Sequence, residues 1–381
     1  MATDSDQQRG PDSRTGSSDS GETSIELRNL RKTFAGGSII AVDDVDVQID
    51  SDEFVVLVGP SGCGKTTTLR CISGLEQPDS GNVIINGRDV TYDQPKDRNL
   101  AFVFQDIALF PHMTVRENMR FGLDQTTDLS GEQKEERVRE AADMLGLGGT
   151  LDRSPAELSG GQQQRVSIGR AMVTEPAAFL LDEPFSDLDA NLRDQMQTEV
   201  KQLQRNLETA MVFVTHDQEE AMTLGDKIIV MNDGDIMQRG SPYDIYNEPA
   251  NQFVAEFIGS PSTNFFECVV QQRGDDLVLA SDIFTAPLDG ALPDSLSNGD
   301  KITLAIRPEH LDLESDTPLF DATIDVIEPH GTNDAIYLSS DGTELSAVSE
   351  QNRFTTEDSS LAIGFEEEHV WLFDDEGERV R

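Results

Sequence analysis

Phe54-Val-Val-Leu-Val58, running without a break into Gly59-Pro-Ser-Gly-Cys-Gly-Lys65-Thr66, is the stretch that decides the fold. Five consecutive apolar residues have no polar face, so they predict a strand covered on both sides, at the centre of a parallel sheet. The next eight fit G-x-x-x-x-G-K-[ST], and Thr66 to Ser73 reads as a helix, so the motif sits between a strand and a helix as its chemistry requires. Glycines at 59, 62 and 64 let backbone N–H groups converge on one anion, to which Lys65 brings a cation; Thr66 supplies a hydroxyl for Mg²⁺. The expected ligand is a chain of phosphates.

Outward from this loop, short apolar runs recur at Ile25 to Leu27, Ile39 to Val42, Ala178 to Leu181, Met211 to Val214 and Ile228 to Met231. Several are bounded by helical stretches, which predicts an α/β core with a parallel sheet. Between Gln105 and Leu158 the character changes. Glu132 to Leu147 is charged and helical in period, with Val138, Ala141, Ala142 and Leu145 on one face, so a helical subdomain is expected over about 106–170. Asn232-Asp233-Gly234-Asp235 predicts a hairpin turn at the end of the core.

After Ile258-Gly-Ser-Pro261 the pattern is strand-like at Val269 and Val270, Leu277 to Leu279, Ile302 to Ile306, Ala322 to Ile327, Ala335 to Leu338 and Val370 to Phe373. With Asp, Gly and Asn turns between them, these predict a small all-β barrel of oligosaccharide/oligonucleotide-binding type. The expected division is an acidic, disordered tail at 1–23, a core at 24–258 and the barrel at 259–381. No stretch approaches the roughly 20 apolar residues that cross a bilayer, and the first two dozen residues read as neither signal peptide nor anchor.

The 381 residues carry 29 Lys+Arg against 72 Asp+Glu, a formal charge of −43 that repels polyanions and excludes a general nucleic-acid surface. Only seven of the basic residues are lysine, and the negative charge is spread along the whole chain. That pattern fits a salt-rich cytoplasm, where molar ions screen self-repulsion within a few ångströms. Cys63, Cys71 and Cys268 have no metal-ligand spacing and form no disulfide framework, which fits a reducing compartment.

Asp182 ends the run Phe179-Leu-Leu-Asp182-Glu183-Pro184, where its carboxylate can hold Mg²⁺; Glu183 follows, where a second carboxylate can polarise an attacking water. An isolated Asp-Glu is ordinarily a solvated strand end, but the apolar run before it and Pro184 after it make the pair specific. Leu158-Ser159-Gly160-Gly161-Gln162 opens a helix and presents N–H groups and a positive helix end to an anion.

Together, in this order and at these distances, the Gly59–Thr66 loop, Gln105, Leu158–Gln162, Phe179–Pro184 and Val214-Thr215-His216-Asp217 resemble the nucleotide-binding subunit of an ATP-binding cassette transporter. The resemblance implies ATP and Mg²⁺ as ligands. It places Gly59, Pro60, Ser61, Gly62, Cys63, Gly64, Lys65, Thr66 and Thr67 around the phosphates, and Phe34 against the adenine, where an aromatic face stacks. Glu183 becomes the general base, His216 the switch that contacts the γ-phosphate, and Thr66, Gln105 and Asp182 the Mg²⁺ residues, Gln105 also facing the membrane subunits. Ser159, Gly160, Gly161 and Gln162 become the signature that closes over the ATP of a second subunit, with Ser186-Asp187-Leu188-Asp189 crossing the seam, so a monomer is expected to be poorly active.

Pro242-Tyr-Asp-Ile-Tyr-Asn-Glu-Pro249, Phe257-Ile-Gly-Ser-Pro261 and Ala305-Ile-Arg307-Pro308-Glu309-His310 are similar to the maltose-type sugar importer ATPases with a C-terminal regulatory barrel. That resemblance implies a second ATPase subunit, two membrane permease subunits, an extracytoplasmic solute-binding protein, and a peripheral place on the cytoplasmic face of the cell membrane. The solute expected from it is a sugar, such as xylose, arabinose or glucose, with oligosaccharides or glycerol phosphate also served within that group. Polyamine, iron and sulfate importer ATPases share a similar barrel, and a mainly regulatory subunit is the alternative of another class.

Overall fold

The computed structural model describes residues 23–274, 276–287, 296–355 and 359–380, so the expected tail at 1–22 lies outside the described residues. Its central sheet has six strands in the order Asp235–Gly240, Lys227–Asn232, Phe54–Val58, Ala210–Thr215, Ala178–Asp182, Leu100–Val103. Five run parallel, and Asp235–Gly240 is the antiparallel edge. Phe54, Val56 and Val58 enter one apolar cluster and Val55 and Leu57 another, so both faces of that strand are covered, as its unbroken apolar run requires. Thr23 opens the first strand instead of closing a tail. That strand, Thr23–Phe34, and Ile39–Asp50 are much longer than their apolar cores, and with Ser80–Ile85 and Arg88–Asp89 they form a separate antiparallel sheet.

On the other side lie the helices Val115–Thr126, Gly131–Met144 and Gly160–Met172. Each begins with a reciprocal capping box, Thr114 with Glu117, Ser130 with Gln133 and Ser159 with Gln162, which satisfies orphan N–H groups at the first turn. Val138, Ala141, Ala142 and Leu145 are all buried against the core, with Leu145 capping its helix at the C-terminal end.

The C-terminal part is all β. One antiparallel sheet is ordered Thr285–Pro287, Asp276–Ala280, Asn264–Arg273, Lys301–Ile306, Val370–Phe373; the other is Thr343–Glu350, Asn333–Ser340, Phe320–His330, Ser360–Ile363. The two share one apolar core through residues such as Phe266, Leu304, Ile324 and Ile336. Thr343–Glu350 and Ser360–Ile363 were not expected from the sequence. Among the described residues no helix is long and apolar enough to cross a membrane.

Candidate active site

Parallel register sets the site. Val58 pairs with Thr215 and Asp182 with Val214, so the loops after three neighbouring strands leave the same rim of the sheet. Lys65 begins the helix Lys65–Ser73, and its Nζ, almost wholly buried, donates to the Gly59 carbonyl at 2.7 Å and the Pro60 carbonyl at 2.9 Å. The ammonium thus lies within the curve of the loop. Gly62 has φ +86 with open space where a Cβ would stand, whereas a Cβ on Gly64, at φ +110, would run into the Ala41 carbonyl. Gly64 also receives the start of the helix, accepting from the Thr68 N–H at 2.8 Å.

The hairpin at Asp233-Gly234 does more than turn the chain. The Gly234 N–H donates to the Cys63 carbonyl at 3.0 Å, and the Gly234 carbonyl accepts from the Asp43 N–H at 3.0 Å. Two segments far from it in sequence therefore brace the phosphate loop, Gly234 directly and Asp43 through Gly234, a role that the turn signal alone did not reveal. Cys63 packs into this clamp, and burial pushes its thiol up, which keeps it protonated. Gly64→Ala is expected to destabilise the chain and remove nucleotide binding together, since its Cβ would meet backbone at a left-handed position. A melting curve and a fluorescent-nucleotide titration on the same sample check this.

Thr66 Oγ1 donates to Asp182 Oδ1 at 2.9 Å. Asp182 is 5% exposed, and burial raises its carboxyl above the usual range, only partly offset by the Thr66 hydrogen bond and the Arg70 charge. A half-buried hydroxyl paired with a buried carboxylate at the foot of a phosphate cradle is a fitting donor set for a hard divalent cation. Next to it, Glu183 sits at φ +43, left-handed for a non-glycine residue. Its N–H is held by the Val214 carbonyl at 3.0 Å, and its own carbonyl accepts from Ser186 Oγ at 3.1 Å. This backbone turns the Glu183 carboxylate toward His216, whose Nδ1 lies 3.0 Å from Glu183 Oε2.

Lys65, Thr66, Asp182, Glu183 and His216 are thus gathered on one rim. Gln105 is exposed just beyond Leu100–Val103 and makes no hydrogen bond to Thr66, Asp182 or Glu183. Pro60 in the loop and Thr67 in the first turn of the helix are half-buried, and Ser61 is exposed. Phe34, 39% exposed, ends its strand beside the exposed Ile39 and Ile40, with Lys32 Nζ 5.1 Å from its ring centre. Ser159 and Gln162 spend their hydrogen bonds on each other, 3.3 Å and 3.1 Å, and leave Ser159 and Gly160 exposed; Gly161 packs on Leu192.

Known proteins agree with this architecture. A family model described as ABC transporter matches residues 42–186, and one described as TOBE domain matches residues 304–373. The chain is 44% identical to the xylose/arabinose import ATP-binding protein XacJ of Haloferax volcanii, covering 92% of this chain and 94% of that one. It is 46% identical to XacK, the import ATP-binding protein of the same description and organism, again over 92% and 94%. A solved dimer of the ATP-binding cassette MJ0796, in a post-hydrolysis state with ADP and Pi, is 34% identical at a TM-score of 0.51, covering 57% of this chain and 98% of that one. The chain belongs to the ATP-binding cassette transporter family, as a nucleotide-binding ATPase subunit. Within that family it is one of the cassettes that carry a TOBE domain behind the ATPase core.

Proposed function

We propose that this chain energises sugar uptake, pentoses such as xylose and arabinose first, by hydrolysing Mg-ATP as one half of a head-to-tail pair of ATPase subunits. The observation that carries the catalytic reading is the rim itself, where Thr66–Asp182 at 2.9 Å and Glu183–His216 at 3.0 Å lie side by side on adjacent strands. Mg²⁺ would be held by Thr66 and Asp182, with Gln105 joining when the nucleotide is in place, and would neutralise charge on the phosphate oxygens. Lys65 and the N–H groups of the loop hold the phosphates. Glu183 takes the proton of the attacking water, oriented by His216, and Phe34 stacks on the adenine.

Ser159, Gly160, Gly161 and Gln162 supply their helix end to the ATP of a second subunit, a reading supported by the exposure of Ser159 and Gly160 and by the Ser159 and Gln162 side chains bonding within that first turn. Two membrane permease subunits and an extracytoplasmic solute-binding protein complete the importer, with this chain peripheral at the cytoplasmic face. The pentose assignment rests on the likeness to XacJ and XacK over nearly the whole chain. Deleting the gene and following labelled xylose, arabinose and glucose uptake tests it: unchanged uptake of all three with loss of another solute overturns the sugar.

Charge sets the working conditions. With −43 on the chain, two such subunits repel as they close, and the repulsion reaches about 10 Å at 0.1 M salt against about 3 Å at 1 M. ATPase activity at saturating Mg-ATP is therefore expected to climb several-fold from about 0.1 M to molar KCl. A maximum at low salt would contradict adaptation to a salt-rich interior while leaving the fold untouched.

A further inference from the structure

A cavity of about 60 Å³ adjoins the Glu183–His216 contact and is lined on its other sides by Arg193, Thr215, Asp217 and Glu220. Glu220 is 5% exposed and burial raises its carboxyl, yet it is built into a chain of hydrogen bonds. Its Oε2 accepts from Thr215 Oγ1 at 2.6 Å, and that same hydroxyl accepts from the Asp217 N–H at 2.9 Å. The residues on either side of His216 are thereby fixed to one carboxylate. On the other side, Gln197 Nε2 donates to Glu220 Oε1 at 3.4 Å, and Arg193 Nε stands 3.9 Å from it, buried and with no hydrogen-bond partner. Arg193 Nη2 donates to the Leu188 carbonyl at 3.2 Å, inside the 186–189 loop, and Nη1 lies 3.7 Å from Asp217 Oδ2.

We propose that Arg193 and Glu220 are positioning residues for ATP hydrolysis, holding His216 against Glu183 and linking that pair to the 186–189 loop. This rests on the reading of Glu183 as general base given above. A buried N–H without a partner is costly and uncommon, and here a shift of about 1 Å brings it into a charge-assisted hydrogen bond with Glu220. Because Arg193 also holds the Leu188 carbonyl, a second subunit that displaces the loop moves the guanidinium with it. The arrival of the partner is thus converted into the alignment of His216. Arg193 and Glu220 act through Asp217, Thr215 and the 186–189 loop and stand outside the Gly59–Thr66 loop that holds the phosphates, so the effect is expected on the rate of the chemical step.

The test is steady-state ATPase kinetics of the full-length chain in molar KCl, with Arg193→Ala, Arg193→Lys, Glu220→Gln and the Arg193→Ala/Glu220→Gln double variant. Arg193→Ala is expected to lower kcat about 10- to 100-fold with KM for ATP held within about threefold, since misplacement by an ångström is enough for such a loss. Arg193→Lys should recover a large part of the rate, Glu220→Gln should fall in the same direction, and the double variant should fall no further than the worse single one. Glu220→Gln preserves shape, which keeps the test open if Arg193→Ala does not fold. Parental kcat in Arg193→Ala or Glu220→Gln, a change confined to KM, or additive losses in the double variant would overturn the inference alone. A parental chain that does not hydrolyse ATP overturns the reading beneath it, and the inference with it.

Discussion

Glu183→Gln is expected to bind Mg-ATP as the parental chain does, to hydrolyse it about 10²- to 10⁴-fold more slowly, and to accumulate as an ATP-bound dimer. As the proposed general base, the carboxylate has the one role in this site for which an amide is no substitute, accepting a proton from water. Everything else about Glu183 is shape: the left-handed backbone at φ +43, the N–H on Val214 and the side chain's approach to His216 at 3.0 Å are all compatible with Gln. Lys65, Thr66 and Asp182 keep their places around the phosphate loop, so nucleotide affinity is expected to be retained while turnover stops. Single-turnover hydrolysis and size-exclusion chromatography with and without Mg-ATP read both halves. Turnover near the parental rate would move the base to another residue.

The left-handed backbone at Glu183 also bears on which parts of the candidate site are legible in the sequence. Functional backbone of this kind is tolerated only where surrounding structure holds it, and the holding groups, Val214 and Ser186, lie in the same neighbourhood of strand ends as the motif residues. Gly59 to Thr66, Ser159 to Gln162 and Asp182-Glu183 are local patterns, each complete within a few residues, and so the chain announces them. What it does not announce is pairing at a distance. Arg193 and Glu220 are ordinary charged residues on two helices, Ala190–Leu207 and Gln218–Leu224, and nothing in either stretch predicts that their side chains approach each other beside Glu183.

Composition hid other parts of the fold. Five of the eight residues of Thr343–Glu350 are polar, yet Leu345 and Ala347 enter the core. Ser346 between them is buried for a different reason: its N–H donates to Asn264 Oδ1 at 2.8 Å and its carbonyl accepts from Asn264 Nδ2 at 2.8 Å, closing the two sheets on each other. A serine-rich strand of this kind is stabilised by partners that only the fold supplies. The Asn232–Asp235 turn was legible as a hairpin because its geometry is local, whereas its grip on Cys63 was not.

Arg307 is the clearest case, and Arg307→Ala is expected to cost about 3–5 kcal/mol of stability. Read from sequence, Arg307-Pro308-Glu309-His310 could be a surface turn after a strand; the structure makes Arg307 1% exposed. Its Nη1 donates to the carbonyls of Ile258 and Ala255 and to Thr263 Oγ1, and Nη2 to the Tyr246 carbonyl at 3.0 Å. The guanidinium lies 4.2 Å from the Tyr246 ring centre and 5.1 Å from that of Trp371. Among the described residues no carboxylate bonds it directly; Glu309 acts through the Tyr246 hydroxyl at 2.6 Å, and burial pulls the guanidinium below its ordinary value. One cation thereby joins the last helices of the ATPase core to the first strands of the β domain. Alanine would leave the Ile258 and Tyr246 carbonyls bare, at about 1–3 kcal/mol each, and would open the aromatic stack. Because the loss falls at the junction, unfolding followed by tryptophan fluorescence at Trp371 should move to lower denaturant and separate from the transition seen by far-UV circular dichroism, while Arg307→Lys retains part of the midpoint. Coincident transitions at the parental midpoint would mean that Ala255, Ala305 and Phe373 hold the junction by apolar contact alone.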